Sequence, residues 1–208
     1  MSDDADLFEA SLMLLAGTTQ LHHVPAGGRG RDAWSVVGAC ADGRLQAEFE
    51  TEPAAARFTD VMHAAPEATC RTGRRVAGIR RRYETFVVDI GGAEPSTVID
   101  RLHDAWTRNA GLLLDDRSAD GADRAAARQR AAVVWRSALL TAAPKVSATG
   151  LRLRTRDRSS ARLLVRSAQV LGVASKVRTA SGFQCIHVEG RGVLTLLATV
   201  RAIPGPVG

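Results

Sequence analysis

The hydropathy pattern of this chain runs through the same order of elements twice, and that repetition constrains the fold more than any single motif. Residues 6–17 place Phe8, Leu12 and Leu15 on one helical face, flanked by Leu7 and Leu14. Asp6 with Glu9 three residues later predicts a capping box. Residues 34–40 (WSVVGAC) and 44–50 (RLQAEFE) predict a hairpin across Ala41-Asp42-Gly43. In its second strand Leu45, Ala47 and Phe49 alternate with Arg44, Gln46, Glu48 and Glu50, giving one apolar and one polar face. A helix over 53–63 opens on Pro53, strands follow at 67–72 and 83–90, and a helix capped by Ser96 lines up Ile99, Leu102 and Trp106. The polar stretch 115–124 (DDRSADGADR) reads as a linker, and then the order restarts. A helix over 125–142 carries Val133, Val134 and Leu140, and a loop with Pro144 and Gly150 leads into a strand at 151–156. Ser159 caps a helix bearing Leu163, Leu164, Ser167 and Leu171, which Gly172 stops. Strands 173–180 and 183–189 are joined by Ser181-Gly182, and a helix over 190–201 buries Val193, Leu194 and Leu197. The expected class is α+β, a tandem repeat of two α-β-β-α-β-β-α units over 1–114 and 125–202, with a flexible tail at 203–208.

Composition narrows the function classes. Apolar residues make up 45% of the 208, enough for a core, while aromatics at 4% leave Ala, Val and Leu to build it. No apolar run approaches the ~18 residues of a spanning helix, and the acidic N-terminus Met1-Ser2-Asp3-Asp4-Ala5-Asp6 is unlike a signal peptide. A cytoplasmic protein is expected. Cys40, Cys70 and Cys185 are dispersed and form no C-x-x-C pair, which argues against a disulfide framework or a zinc cluster. His22-His23 has no further ligand at metal spacing, and His63, His103 and His187 stand singly. The chain lacks both the G-x-x-x-x-G-K-[ST] and the G-x-G-x-x-G phosphate-binding patterns. No cofactor and no metal are expected.

The net charge of +6 favours a polyanionic partner only weakly, so the arrangement of the cations has to carry the argument. In strand 151–156, Leu151, Leu153 and Thr155 point one way while Arg152, Arg154 and Arg156 point the other. In strand 173–180, Lys176 and Arg178 share a face opposite Val177. If helices cover the apolar face, the open face of the second sheet carries Arg152, Arg154, Arg156, Lys176 and Arg178. A row of arginines at strand spacing suits phosphate contacts, which position a protein without reading sequence. A solvated sheet face, salt-bridged to Asp157 and Glu189, is the alternative. A second basic run, Arg71, Arg74, Arg75, Arg80, Arg81 and Arg82, lies in or beside a hairpin loop and reads either as a backbone contact or as an exposed loop.

Residues 14–22 (LLAGTTQLH) close the first helix and resemble the LAGLIDADG motif, with Ala16 and Gly17 as its small residues. Residues 133–143 (VVWRSALLTAA), with Ser137 and Ala138, look like the matching helix. The stretches RLQAEFETEPAAARF (44–58) and LLVRSAQVLGVASKVR (163–178) look like the first and second LAGLIDADG-like repeats of the WhiA family. The resemblance covers nearly the whole chain at the level of pattern. It implies a homing-endonuclease-like fold with pseudo-two-fold symmetry. Two motif helices would pack through Ala16, Gly17, Ser137 and Ala138, and the open sheet faces would meet DNA. In active LAGLIDADG nucleases each motif helix ends in a metal-holding acid. Those positions fall here near His22 and Ala142, neither a carboxylate, so a degenerate fold without nuclease activity is expected. WhiA-type proteins also carry a C-terminal helix-turn-helix domain, and this chain ends at Gly208, where it would begin; a fragment and a stand-alone relative both remain open. The resemblance implies a nucleoid-associated regulator of cell division, chromosome segregation or sporulation, working with DNA and a transcription-factor partner. A protein-interaction module without DNA affinity is the rival reading.

Overall fold

A computed structural model of the protein describes residues 2–21, 45–77, 83–92, 94–115, 121–142, 144–155, 158–180 and 182–202. The expected strand 34–40, Arg44, the histidine pair and the 203–208 tail lie outside these residues. The chain divides into two compact units, Met1–Trp106 and Thr107–Gly208.

The first unit begins with α1 (Ser2–Leu21), followed by β1 (Leu45–Phe49), α2 (Glu52–Met62), β2 (Thr69–Ala77), β3 (Tyr83–Gly91) and the start of α3 (Pro95–Leu114). Its antiparallel sheet has the order β1-β3-β2, with Leu45 opposite Ile90 and Ala47 opposite Val88. Leu45, Ala47, Phe49, Val88 and Ile90 are buried on the side of the sheet where Phe58 of α2 meets Phe49, the ring centroids 5.3 Å apart. Thr51 caps α2, its hydroxyl accepting from the Ala54 amide, and Pro53 sits in the opening turn, where its missing N–H costs nothing.

Helix α1 departs from the simple amphipathic reading. Leu7, Phe8, Glu9, Ala10, Ser11, Met13, Leu14 and Leu15 are all buried, while Leu12, expected in the apolar stripe, is only half-buried. A helix buried around most of its circumference is an interior element, and no single-face periodicity describes it. Because the helix starts at Ser2, Asp6 and Glu9 form no cap. Glu9 instead accepts two charge-assisted hydrogen bonds from Arg57 of α2, at 2.9 Å from Nε and 2.6 Å from Nη2. The Glu9 side chain is 0% exposed and that of Arg57 15%. The pairing raises the Arg57 pKa further above its ordinary value, the hydrogen bond to Glu9 outweighing burial.

The second unit contains α4 (Gly121–Thr141), β4 (Lys145–Ser147), β5 (Gly150–Thr155), α5 (Arg158–Val170), β6 (Ser175–Ala180), β7 (Phe183–Glu189) and α6 (Gly190–Ala202), after the last turns of α3. Its antiparallel sheet has the order β4-β5-β7-β6. Leu151, Leu153, Ile186 and Val188 face α5 and α6, which in turn pack on α4. The Gly172 stop holds: its φ is +75°, and the Val173 amide donates to the Ala168 carbonyl at 2.8 Å in a Schellman-type closure. So does the β6–β7 hairpin, where Ala180 pairs with Phe183 and Gly182 takes a φ of +80°.

Several boundaries and faces differ from the expectations. Helix α4 begins at Gly121, inside the stretch read as linker. Helix α5 begins at Arg158 and α3 at Pro95, so Ser159 and Ser96 are first-turn residues and not caps. Residues 145–147, read as loop, form the edge strand β4. In α6 the buried pair is Val193 and Leu196, while Leu194 is exposed, since neighbouring helical positions lie ~100° apart around the axis.

Losing the Arg57 guanidinium would remove the cation that faces the fully buried Glu9 carboxylate. Arg57→Ala is expected to lower stability by about 3–5 kcal/mol in urea unfolding. The double variant Glu9→Leu/Arg57→Met, which removes both charges, should recover most of that loss; a double variant as unstable as the single one would refute the pair's role.

Candidate nucleic-acid interface

The second sheet sorts its side chains by the pleat. Residues whose side chains alternate with the buried Leu151 and Leu153 must emerge on the opposite face. Arg152 and Arg154 do so, and both are exposed. The antiparallel register then fixes their neighbours across the sheet. Lys145 of β4 lies opposite Arg152, Arg152 opposite His187 of β7, and His187 opposite Lys176 of β6. This gives one basic side chain from each of the four strands in a single row. In the next row Arg154 and Arg178 flank Cys185.

Five permanent cations therefore share the face: Lys145, Arg152, Arg154, Lys176 and Arg178, all exposed. Among the described residues the acid on this face is Glu189, which accepts from Lys176 at 2.5 Å. That bond, with the charge of Lys176, holds the Glu189 carboxyl below its ordinary range. Lys145, Arg152, Arg154 and Arg178 have no ion pair among the described residues. Gly150, which opens β5, is closely overlaid by β7. A Cβ there would meet the Val188 carbonyl oxygen at 2.2 Å and His187 Nε2 at 2.9 Å, and the backbone takes a φ of +149°. His187 Nε2 is buried without a hydrogen-bond partner.

The first sheet is chemically different. Arg71 and Arg75 lie on the face that carries Gln46 and Glu48. Arg71 lies across the strands from Asp89, which accepts from Gln46. Arg75 lies 4.0 Å from Glu48. This face is also less open than the alternation in β1 suggested. Glu48, Thr85 and Val87 are buried and Gln46 and Asp89 half-buried, while Glu50, Arg71 and Arg75 stand exposed, because alternation separates two faces without saying which meets water. Arg74 belongs to the other face, over the Phe86 ring at 5.6 Å and 3.6 Å from Glu52. Strand β2 runs to Ala77, so Arg74 and Arg75 are strand residues and not loop residues.

The structure thus brings Arg152, Arg154, Lys176 and Arg178 together on one sheet, while Arg74 and Arg75 belong to the other unit. Arg156, Arg80, Arg81 and Arg82 lie outside the described residues. Lys145 and His187 were missed. Their membership follows from strand register, and the only sequence signal was the Lys-Val-Ser run before Gly150. Of the small motif residues, Ala16 and Ala138 are half-buried and Gly17 lies within α1. Ser137 is buried, with its hydroxyl donating to the Val133 carbonyl at 2.9 Å. Helix α4 ends at Thr141 and Ala142 follows, so no carboxylate closes it. Cys70 and Cys185 are free and half-buried, and burial pushes the Cys70 thiol up. Among the described residues no three His, Cys, Asp or Glu side chains group as a metal site. Nor is any described helix long and apolar enough to cross a membrane.

These two α/β units have the fold of the LAGLIDADG proteins. Among solved structures the chain is similar to the homing endonuclease I-DmoI, at a TM-score of 0.55 and 11% identity over 97% of this chain and 98% of that one. I-DmoI has also been crystallised in complex with DNA and Mn, and that structure matches at 0.55 over 97% and 99%. The N-terminal LAGLIDADG domain of WhiA matches at 0.52 and 9% identity over 98% and 91%. Full-length WhiA from Thermatoga maritima matches at 0.52 and 12% identity, covering 99% of this chain and 67% of that protein. No protein-family model and no curated protein sequence matches the chain.

The Lys176–Glu189 bond gives the open face a pH dependence. The Glu189 pKa is depressed in the fold, so the bond's contribution is present above the ordinary carboxylate value of 4.5 and is lost as pH falls through the folded value. Acidification therefore releases Lys176. In an NMR titration, Lys176→Ala should return the Glu189 midpoint toward 4.5; an unmoved midpoint would refute the bond as the cause.

Proposed function

We propose that this protein is a non-catalytic regulator of the WhiA type that contacts DNA through the open face of its second sheet. In this reading it acts in the nucleoid, in control of cell division, chromosome segregation or sporulation, together with a transcription-factor partner. The observation that carries the reading is the four-strand row Lys145–Arg152–His187–Lys176 with Arg154 and Arg178 beside it. Rows of cations about 5 Å apart across strands and ~7 Å apart along them suit a phosphate backbone, whose charges repeat on a similar scale. Such contacts set affinity and register without reading bases, so the expected binding is salt-sensitive and weakly sequence-selective. On the first sheet Arg74 and Arg75 lie near Glu52 and Glu48, so this reading makes the contact one-sided. The non-catalytic reading is supported by Thr141 and Ala142 at the end of α4, which offer no carboxylate to hold a hard divalent cation.

The test is fluorescence anisotropy with a mixed-sequence duplex across a salt titration, with Mg²⁺ present and the products resolved on a gel. Micromolar binding to uncut DNA is expected, with a log–log salt slope of about −4.5 if all five permanent cations engage phosphates. Arg152→Glu/Arg154→Glu should abolish it, and Glu189→Gln, which frees Lys176, should tighten it at neutral pH. Cleaved DNA would refute the non-catalytic reading. Absence of binding at low salt would refute the DNA contact and leave a protein-interaction module.

A further inference from the structure

The helical side of the second unit carries a feature that the DNA reading does not use. A cleft of about 560 Å³ opens between α5, the end of α3 and the β6 edge. Its apolar surface comes from Leu114, Ala161, Val165 and Val177. Leu114 and Val177 are 45% and 41% exposed, among the few large apolar side chains left open to solvent in the described residues. Along one wall α5 presents Arg158, Arg162 and Arg166, each four residues after the last, so their Cα atoms step along the cleft by ~6 Å per turn. Among the described residues no carboxylate lines the cleft. Arg166 is anchored, its Nε donating to the Leu113 carbonyl at 3.1 Å, which ties the α5 wall to the last turn of α3. Arg158 and Arg162 are exposed and have no ion pair among the described residues.

We infer that this cleft docks an acidic amphipathic helix of a partner protein. The charge pattern decides the occupant. A stripe of arginines at i, i+4 and i+8 beside an apolar trough matches a helix with acids at the same spacing and leucine-like residues on the adjoining positions. The partner's apolar residues would cover Leu114, Val165 and Val177, and its carboxylates would meet Arg158 and Arg162 bidentately. The cleft is open along its length, which suits a segment laid across it better than an enclosed small molecule. The surface lies on the opposite side of the sheet from the Arg152 row, so the inference holds whether or not that row binds DNA.

The probe is a fluorescein-labelled helical peptide with Glu at every fourth position and Leu along the adjoining stripe, titrated with the intact chain in anisotropy. A peptide of the same composition with its acids scrambled around the helix serves as control. Binding in the micromolar range is expected. Arg158→Glu/Arg162→Glu should weaken it at least tenfold, and Val177→Lys should do the same through the apolar trough. Arg152→Glu/Arg154→Glu, on the other face, should leave it unchanged. Thermal unfolding of each variant checks that these surface changes leave the fold intact. Equal affinity for the scrambled peptide, an unaffected Arg158/Arg162 variant, or no binding would overturn the inference. So would a result in which Arg158→Glu/Arg162→Glu weakens duplex DNA binding and not peptide binding, since the stripe would then be a second nucleic-acid contact.

Discussion

Burying Leu151 and Leu153 beneath two helices is the constraint from which the character of the second unit follows. A strand has only two faces, and a residue between two buried leucines has nowhere to go but outward. Arg152 and Arg154 are therefore exposed by the same burial that forms the core. The register multiplies the effect. Lys145, His187 and Lys176 reach the same row because each is hydrogen-bonded, strand by strand, into line with Arg152. Like charges placed across neighbouring strands repel, and such pairs destabilise a sheet by up to ~1 kcal/mol each. Glu189 relieves that repulsion only at Lys176. On the proposed reading, a bound polyanion would offset that cost at the other permanent cations, which lack ion pairs among the described residues.

The first unit uses charge for the opposite purpose. Glu9 and Arg57 face each other in the interior, and the bidentate geometry satisfies both side chains where water cannot. Such a pair contributes less net stability than its Coulomb attraction suggests, because both ions had to be desolvated. What it supplies is registration between α1 and α2, since neither helix can slide or turn without stranding a buried charge. Arg101 and Glu67 repeat the theme nearer the surface, at 2.6 Å. Glu67 is held below its ordinary range first by its own backbone N–H and then by Arg101. The two units thus differ in how they place their arginines, with Arg57 buried against Glu9 in the first and Arg152 and Arg154 exposed in the second.

Element order was legible because it rests on periodicity, and periodicity survives wherever one face is buried. The LRLRTR alternation, the Gly172 stop and the Ser181-Gly182 turn each have a local physical cause, and each appears where the sequence placed it, as far as the described residues extend. Failures came where burial is not one-sided. One-sided periodicity predicts Leu12 in the core and Glu9 in a cap, as for a surface helix, and the wide burial of α1 leaves no trace in a face-by-face pattern. Trp135, fully buried in α4, escaped notice for the same reason. The candidate site was legible in part. Arg152, Arg154, Lys176 and Arg178 follow from pleat alone, whereas Lys145 and His187 depend on which strands are neighbours, a non-local fact that no window of sequence contains.

The second unit is basic on both sides of its sheet, and the two sides differ in what they can hold. The strand face is a plane of cations with no apolar surface between Arg152 and Arg154, so it offers an anionic partner charge and little else. The helical face sets Arg158 and Arg162 beside Leu114, Val165 and Val177, so an occupant there must be apolar along one stripe and acidic along the next. A duplex fits the first requirement and fails the second, because its backbone presents charge without an apolar stripe. An amphipathic acidic helix fits the second, and on the strand face would leave its apolar side in water. If both proposals hold, the two faces would select their partners by chemistry alone, with the layer of Leu151, Leu153, Ile186 and Val188 between them.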